Sequence, residues 1–558
     1  MKKQTGAVIL AELLKAYGIT HIFMVPAVLR RTMVEIEKRT NIKRLHVHSE
    51  KSAAYMADGY ARASGKPAIC MAQVIGALNI AAGLRDAFLA HSPVIALTGG
   101  RDPKTKFKKV YQEIDDMPAF EPVTKFNATI DDVSRIPDMI EQAFRVSTSG
   151  SPGPVHLQFK GNEAQIDLEE FEFESNFKIS DTHIPPHRPI CNDTLLQEAL
   201  TAIQSAQRPI IVAGGGAKHS KSSLELIEFA EQLNIPIATS LNGKDLIHST
   251  HPLSCGVVGT YSRESANLAV KAADLVIFIG SETSSMTTHF WTVPDDKSRV
   301  IQIDIEPENL GRNYLLEVAI QGDAKAILER MNRLASALTI HERTDWLEHI
   351  QELRRDWYHK YKPLMESDAN PIRPERLCAE ISDNAPDNAV IVVDTGHAGM
   401  WMGGMFDLQH PNQNYIRSAG HLGWAFPASL GAKCALPDRA VICFTGDAGF
   451  WYHIAEIEVA VRWNINVIVI VNNNSGGNQS KRGFDRAYGG EQTAEGRQMW
   501  TFNTVNFAEI AQNIGAIGIR VEKAEDIQIA IKKALNLNKP VIIDVVTDID
   551  ALAPLAVN

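Results

Sequence analysis

Cysteine is scarce and unpatterned in this chain: Cys70, Cys191, Cys255, Cys378, Cys434 and Cys443 are scattered over 558 residues with no C-x-x-C pair. That excludes a disulfide framework and a cysteine-based zinc site, and it fits buried thiols in a reducing compartment. Long apolar runs are also missing. The N-terminal stretch MKKQTGAVILAELLKAYG is interrupted by Glu12 and Lys15 after a short apolar run, unlike a signal h-region or a membrane span. A cytoplasmic chain without a membrane partner is expected. Positive charge is in deficit, with 56 Lys plus Arg against 66 Asp plus Glu and a net charge of −10, which disfavours nucleic acid as a partner. There is no short-period repeat and no low-complexity tract.

Ordinary globular usage is present instead, with 45% apolar and 22% charged residues, and the length calls for several domains. Strand-length apolar runs alternate with helical patterns: AICMA (68–72), PVIALTG (93–99), PIIVAGGG (209–216), LVIFIG (275–280), VIQIDI (300–305), AVIVVD (389–394), AVICFTGD (440–447), VIVIV (467–471) and VIIDVV (541–546). Such alternation predicts an α/β fold of mainly parallel sheets flanked by helices. Two stretches break it, an acidic and proline-rich segment at 163–192 and a charged helical stretch at 341–372 ending in NPIRP. Cutting there predicts three domains, at 1–165, 193–340 and 370–558.

The segment 440–477 carries the most chemical information. A strand ends in Gly446-Asp447, Ile454, Ile457 and Val461 recur at helical spacing, and a second strand ends in Asn472-Asn473-Asn474. A right-handed βαβ unit puts both strand ends on one sheet edge, where open α/β folds bind ligands, so Asp447 and Asn474 can converge. One carboxylate, one amide oxygen and a backbone carbonyl from the glycine turn at Gly476 make an incomplete oxygen shell. Such a shell suits Mg²⁺ if phosphate oxygens complete it. The alternative is that Asp447 caps the next helix and the asparagines only make a turn.

Gly-Asp followed by Asn-Asn at this spacing resembles the thiamine-diphosphate fingerprint. The surrounding sequence is similar to the acetolactate synthase and benzoylformate decarboxylase branch of that family, over nearly the whole chain. HSEKSAAYMADGYARASGKPAIC (48–70), YQEIDDMPAFEPVTKFN (111–127) and GSPGPVHLQF (150–159) resemble the pyrimidine-binding domain. RPIIVAGGGA (208–217) and VIQIDIEPENLGRN (300–313) resemble the middle domain, and SAGHLGWAFPASLGAK (418–433) the diphosphate domain.

The resemblance implies thiamine diphosphate and Mg²⁺ as cofactors and gives roles to individual residues. Glu50 would hydrogen-bond N1′ of the aminopyrimidine and favour removal of the C2 proton. Leu422 would wedge beneath the two rings, and Gly420 would offer its carbonyl to the 4′-amino group. Gly396, His397 and Ala398, with Ala448 and Gly449, would present N–H groups to the diphosphate, and Gln112 would face the reacting centre. It implies further that one subunit holds the pyrimidine and another the diphosphate, hence a homodimer or homotetramer.

Several positions depart from the family pattern. After Pro26, Ala27-Val28 replaces a glycine pair, so that Ala27 and Val28 would narrow the substrate end, and Arg30 and Arg31 either pair with a substrate anion or lie solvated on a helix face. Asn478, Gln479, Lys481 and Arg482 replace an apolar helix start, which suggests a polar or anionic substrate or else a basic surface loop. Gly214-Gly215-Gly216 can accept a nucleotide phosphate, a weak signal alone; the run GSETSSMTTHFW (280–291) lacks the arginine usual in flavin-binding relatives, so FAD is not expected. The expected activity is cleavage or ligation of a C–C bond beside the carbonyl of a 2-oxo acid by a decarboxylase or carboligase. The alternatives are a hydrolase or lyase of a cyclic 1,2-dione or acyl-CoA, and a non-catalytic paralogue.

Overall fold

The computed structural model describes residues 2–173, 177, 179–338 and 341–554. Three six-stranded sheets, all parallel, succeed one another along the chain. The N-terminal sheet runs Lys43–His46, His21–Met24, Ala68–Ala72, Val94–Gly99, Val155–Phe159, Phe126–Ile130 from edge to edge. The C-terminal sheet runs Asn414–Arg417, Val390–Val393, Val441–Gly446, Ile468–Asn473, Val541–Val546, Ile517–Val521. Ranked by chain order, both read 2-1-3-4-6-5, so the outer two units are topological copies. The middle sheet, whose strands lie between Pro209 and Gln321, reads 3-2-1-4-5-6, the other doubly wound order.

The central strands are apolar on both faces because helices cover both: Val390–Val393 and Leu275–Ile279 are buried throughout. The acidic segment after residue 163 is not wholly a connector. Its strand Glu170–Phe173 pairs antiparallel with Lys2–Thr5, while residues 174–176 and 178 lie outside the described residues, as do 339 and 340 at the expected end of the middle domain.

The outer units are fused by one apolar core that includes Phe23, Tyr55 and Ile80 from the first and Trp424, Phe426 and Phe450 from the last. At its centre the helix Glu50–Ser64, rich in alanine, packs against Ala425–Ala435. Glycines set the approach: a Cβ on Gly59 would sit 2.0 Å from the Ala428 carbonyl oxygen, and one on Gly431 1.8 Å from that of Met56. Among the described residues no helix is long and apolar enough to cross a membrane.

Candidate active site

At the carboxyl edge of the C-terminal sheet, Val441–Gly446 and Ile468–Asn473 lie side by side, with Gly446 level with Asn472. Both loops that follow are thereby brought together. The backbone N–H of Ala448 donates to Asp447 Oδ1 (2.7 Å) and that of Gly476 to Oδ2 (3.0 Å), which ties the aspartate to the asparagine loop. Asp447 is 2% exposed, and burial pushes its carboxyl up to about 7 although these N–H groups hold it down. The three asparagines are not equivalent. Asn473 donates to the Val505 carbonyl and to Asp544, a structural lock, whereas the buried Oδ1 atoms of Asn472, Asn474 and Asn478 have no hydrogen-bond partner. Buried amide oxygens without donors call for a ligand or an ion.

The strand Val390–Val393 adjoins Val441–Gly446, and the chain order reverses between them, which makes this the switch point of the sheet. There Gly396 takes φ 67°, leading into the helix His397–Gly404. Ala398 is buried, and His397 Nδ1 is buried without a partner; burial, assisted by the charge of Arg482, lowers this imidazole to about 4, so it is neutral at physiological pH.

The loop carrying Gly420 and Leu422 is held at both ends by buried carboxylates that the sequence reading did not single out. Asp86, on the N-terminal helix Ala77–Leu89, accepts from Ser418 Oγ (2.8 Å) and from the backbone N–H groups of Ala419 (2.9 Å), Gly420 (3.2 Å) and His421 (3.1 Å). Arg62 bridges Asp86 and Asp58. On the other side Asp394 accepts from the Gly423 N–H (3.1 Å) and Thr445 Oγ1 (3.0 Å), and burial raises its carboxyl to about 7. Gly449 makes room for it, since a Cβ there would lie 2.6 Å from Asp394 Oδ2. Leu422, partly exposed, is the residue this double anchor presents.

The N-terminal edge holds the remaining group. Glu50 begins its helix and accepts from Asn79 Nδ2 at 3.0 Å. Its carboxyl lies against Gly76, where a Cβ would come within 2.5 Å of Oε1. Three residues earlier, Gln73 donates to Gln112 Oε1 (3.0 Å), and Gln112 takes a left-handed φ of 65°. Ala27 also has a positive φ, 91°, and Val28 is buried. Arg30 pairs on the surface with Glu163 (2.9 Å), Lys481 lies 3.3 Å from Asp485, Arg482 donates to the Ala553 carbonyl, and Gln479 is exposed beside Gly396. Two clusters therefore exist in one chain. Among the described residues Glu50 has no hydrogen-bond partner from the C-terminal cluster.

Comparison with known proteins gives these clusters a context. Residues 4–119 match the thiamine pyrophosphate enzyme N-terminal TPP binding domain, 196–331 the central domain and 394–545 the C-terminal TPP binding domain. The chain is 31% identical to a probable acetolactate synthase large subunit of Methanocaldococcus jannaschii, over 97% of this chain and 92% of that one. It is 28% identical to the acetolactate synthase large subunit of Haemophilus influenzae, over 98% and 95%, and 27% to isozyme 1 of Escherichia coli K12, over 98% and 94%. The chain belongs to the thiamine pyrophosphate enzymes. Within them it falls on the acetolactate synthase-like branch.

The residues present fit the family's coenzyme. The C-terminal edge offers an ionisable carboxylate, three unpartnered asparagine oxygens, and a glycine-bearing helix start, which together suit a cation and phosphate oxygens. No group of three or more His, Cys, Asp or Glu capable of holding a metal occurs among the described residues, so a cation there would draw on amide, backbone and phosphate oxygens. The middle-domain glycines have a packing reason of their own: a Cβ on Gly214 would lie 2.1 Å from the Gly280 carbonyl oxygen. They also line a pocket together with His91, Ser281 and Glu282.

Proposed function

We propose that this chain catalyses acetolactate synthase-like cleavage or ligation of the C–C bond beside the carbonyl of a 2-oxo acid, using thiamine diphosphate with Mg²⁺. The observation that carries the reading is the set of buried, unpartnered oxygens of Asn472, Asn474 and Asn478, on the segment whose Gly476 N–H donates to the buried Asp447. Asp447, Asn474 and the backbone of Gly476 would hold the cation; Gly396, His397, Ala398, Ala448 and Gly449 would bind the diphosphate; Leu422 and Gly420 would support and hydrogen-bond the ring end. When bound, the coenzyme supplies the electron sink for the bond that breaks.

The chain's own part is proton handling and orientation. Asn79 donates to one oxygen of Glu50, fixing the rotamer, and Gly76 leaves the space in which that carboxyl sits; the other oxygen would exchange a proton with the bound coenzyme. Exposed Ile75, Leu78 and Ile114 on the Glu50 edge, and exposed Tyr452, Met499 and Phe502 in the C-terminal unit, favour pairing of two chains so that the two kinds of cluster meet. A homodimer or homotetramer is proposed as the active form.

Calorimetric titration with thiamine diphosphate, with and without Mg²⁺, tests the binding half of this reading. Proton exchange at C2 of the bound coenzyme tests the other half in Glu50→Gln and Gly76→Ala. Both variants are expected to slow exchange by about two orders of magnitude or more, the range of a positioned acid or base. Exchange that is undiminished in both would defeat the role of Glu50, and binding indifferent to Mg²⁺ would defeat the cation site.

A further inference from the structure

Asp116 is a carboxylate without an occupation. It follows Gln112 by four residues, immediately before the short helix Met117–Phe120, and is 1% exposed. Its side chain does not cap that helix, and neither of its oxygens has a hydrogen-bond partner. A buried carboxyl with both oxygens unpartnered is costly, and structures retain such groups where chemistry uses them. Asp116 borders an open pocket together with Gln112, Glu113, Val74 and Ile75. The turn Val74–Gly76 on that wall is the one whose Gly76 lies against Glu50 and whose preceding residue, Gln73, holds Gln112. The same segment is held in an unusual backbone: Phe107, Lys109 and Gln112 all have positive φ, and Tyr111 O accepts from Asn162 Nδ2 at 2.6 Å. Strained residues that the surroundings hold in place cluster at functional sites.

We propose that Asp116 is a second proton-transfer residue of this site, the acid that protonates the substrate carbon after its carboxylate leaves. This rests on the function proposed above. In that step the C–C bond to the carboxylate breaks and CO₂ departs. The electron pair left on the former carbonyl carbon takes the proton from the Asp116 hydroxyl, and Asp116 recovers a proton from water. Protonation, followed by loss of the hydroxyl proton and breaking of the bond to the coenzyme, would release an aldehyde; a site without that proton leaves the carbon to attack a second carbonyl, so Asp116 biases the partition between decarboxylation and ligation.

The electrostatics agree with the geometry. Burial raises the Asp116 carboxyl to about 6, the neighbouring charge of Asp115 adds to this, and Arg101, which pairs with Asp115 at 2.9 Å, opposes it. Glu113 faces the same pocket, with one buried oxygen unpartnered. Asp116 therefore keeps about a tenth of its population protonated at pH 7, where an ordinary aspartate keeps about a thousandth.

Three measurements on the full-length protein test this. In the coenzyme-free wild type, an infrared carboxyl band should titrate between about pH 5 and pH 7 and be missing from Asp116→Asn. In the loaded enzyme with pyruvate, Asp116→Asn should bind thiamine diphosphate as the wild type does. Its ratio of acetaldehyde to ligated product should fall about a hundredfold, with loss of the pH limb near 6. Asp116→Glu, which keeps the acid, should restore much of the aldehyde, and a folding defect shared by both variants would not reproduce that difference. An unchanged product ratio and pH profile in Asp116→Asn would overturn the proposal while leaving the coenzyme assignment standing, as would a wild-type carboxyl band that does not titrate in that window. Failure of the wild type to bind the coenzyme would instead remove the reading on which it rests.

Discussion

Asp86 joins the N-terminal unit to the loop that carries Gly420 and Leu422, and Asp86→Asn isolates that link. The substitution keeps shape but removes the negative charge to which Ser418 and the N–H groups of 419, 420 and 421 donate. Hydrogen bonds to a charged group contribute about 1.5–3 kcal/mol each. Four of them on one carboxylate are not additive, and the amide oxygen still accepts some of these donors, so about 3 kcal/mol is the loss expected for the loop. Arg62 retains Asp58, which limits damage to the helix beneath. At about 1.4 kcal/mol per factor of ten, local opening of the loop becomes roughly 150-fold easier. Amide hydrogen exchange reads this directly: peptides covering 419–421 should lose protection by about two orders of magnitude. Peptides from Val441–Gly446, whose bonds do not involve Asp86, should be unchanged. Coenzyme affinity should fall with the loop protection. Exchange at 419–421 altered by less than about threefold, with the strand peptides intact, would refute the idea that Asp86 holds the loop.

Two further outcomes follow from packing and burial. Gly431→Ala places a methyl group 1.8 Å from the Met56 carbonyl oxygen, so the helices joining the outer units must separate. Overpacking of about 3 kcal/mol should lower the melting temperature by several degrees, and an unchanged thermal unfolding curve would contradict the close helix contact. Asp394 keeps its proton up to about 7 in the folded chain, whereas an unfolded aspartate releases it near 4. Its protonated form therefore favours the folded state fully below about pH 4, and the advantage is lost as pH rises to about 7. The melting temperature of the wild type relative to Asp394→Asn should accordingly decline from pH 5 to pH 7 and level off above. A difference that is constant or rising over that window would show the carboxyl to be ionised throughout.

What the sequence could reveal depended on which force dominates at each position. Central strands such as Leu275–Ile279 and Val390–Val393 stand out because burial on both faces leaves only apolar residues in them. Edge strands escape notice for the converse reason: KRLH (43–46), FNATI (126–130) and NYIR (414–417) expose one face or end to solvent and carry no apolar run, so their pairing is decided by neighbours far away in sequence. The same division applies to the site. The meeting of Asp447 with the asparagine loop was legible because local βαβ geometry alone brings two strand ends to one edge. Asp86 was not, since its partners lie more than 330 positions away and a single carboxylate in the helix ALNIAAGLRDAFL looks like any solvated charge. Asp394 ends a strand, where a helix cap is the simpler reading, and only the fold shows it holding Gly423. The residues proposed to bind are thus written in local motifs, while those that hold their loops in register are written in contacts between units. Substitution at Asp86 or Asp394 should consequently alter coenzyme binding without touching a single residue of the fingerprint.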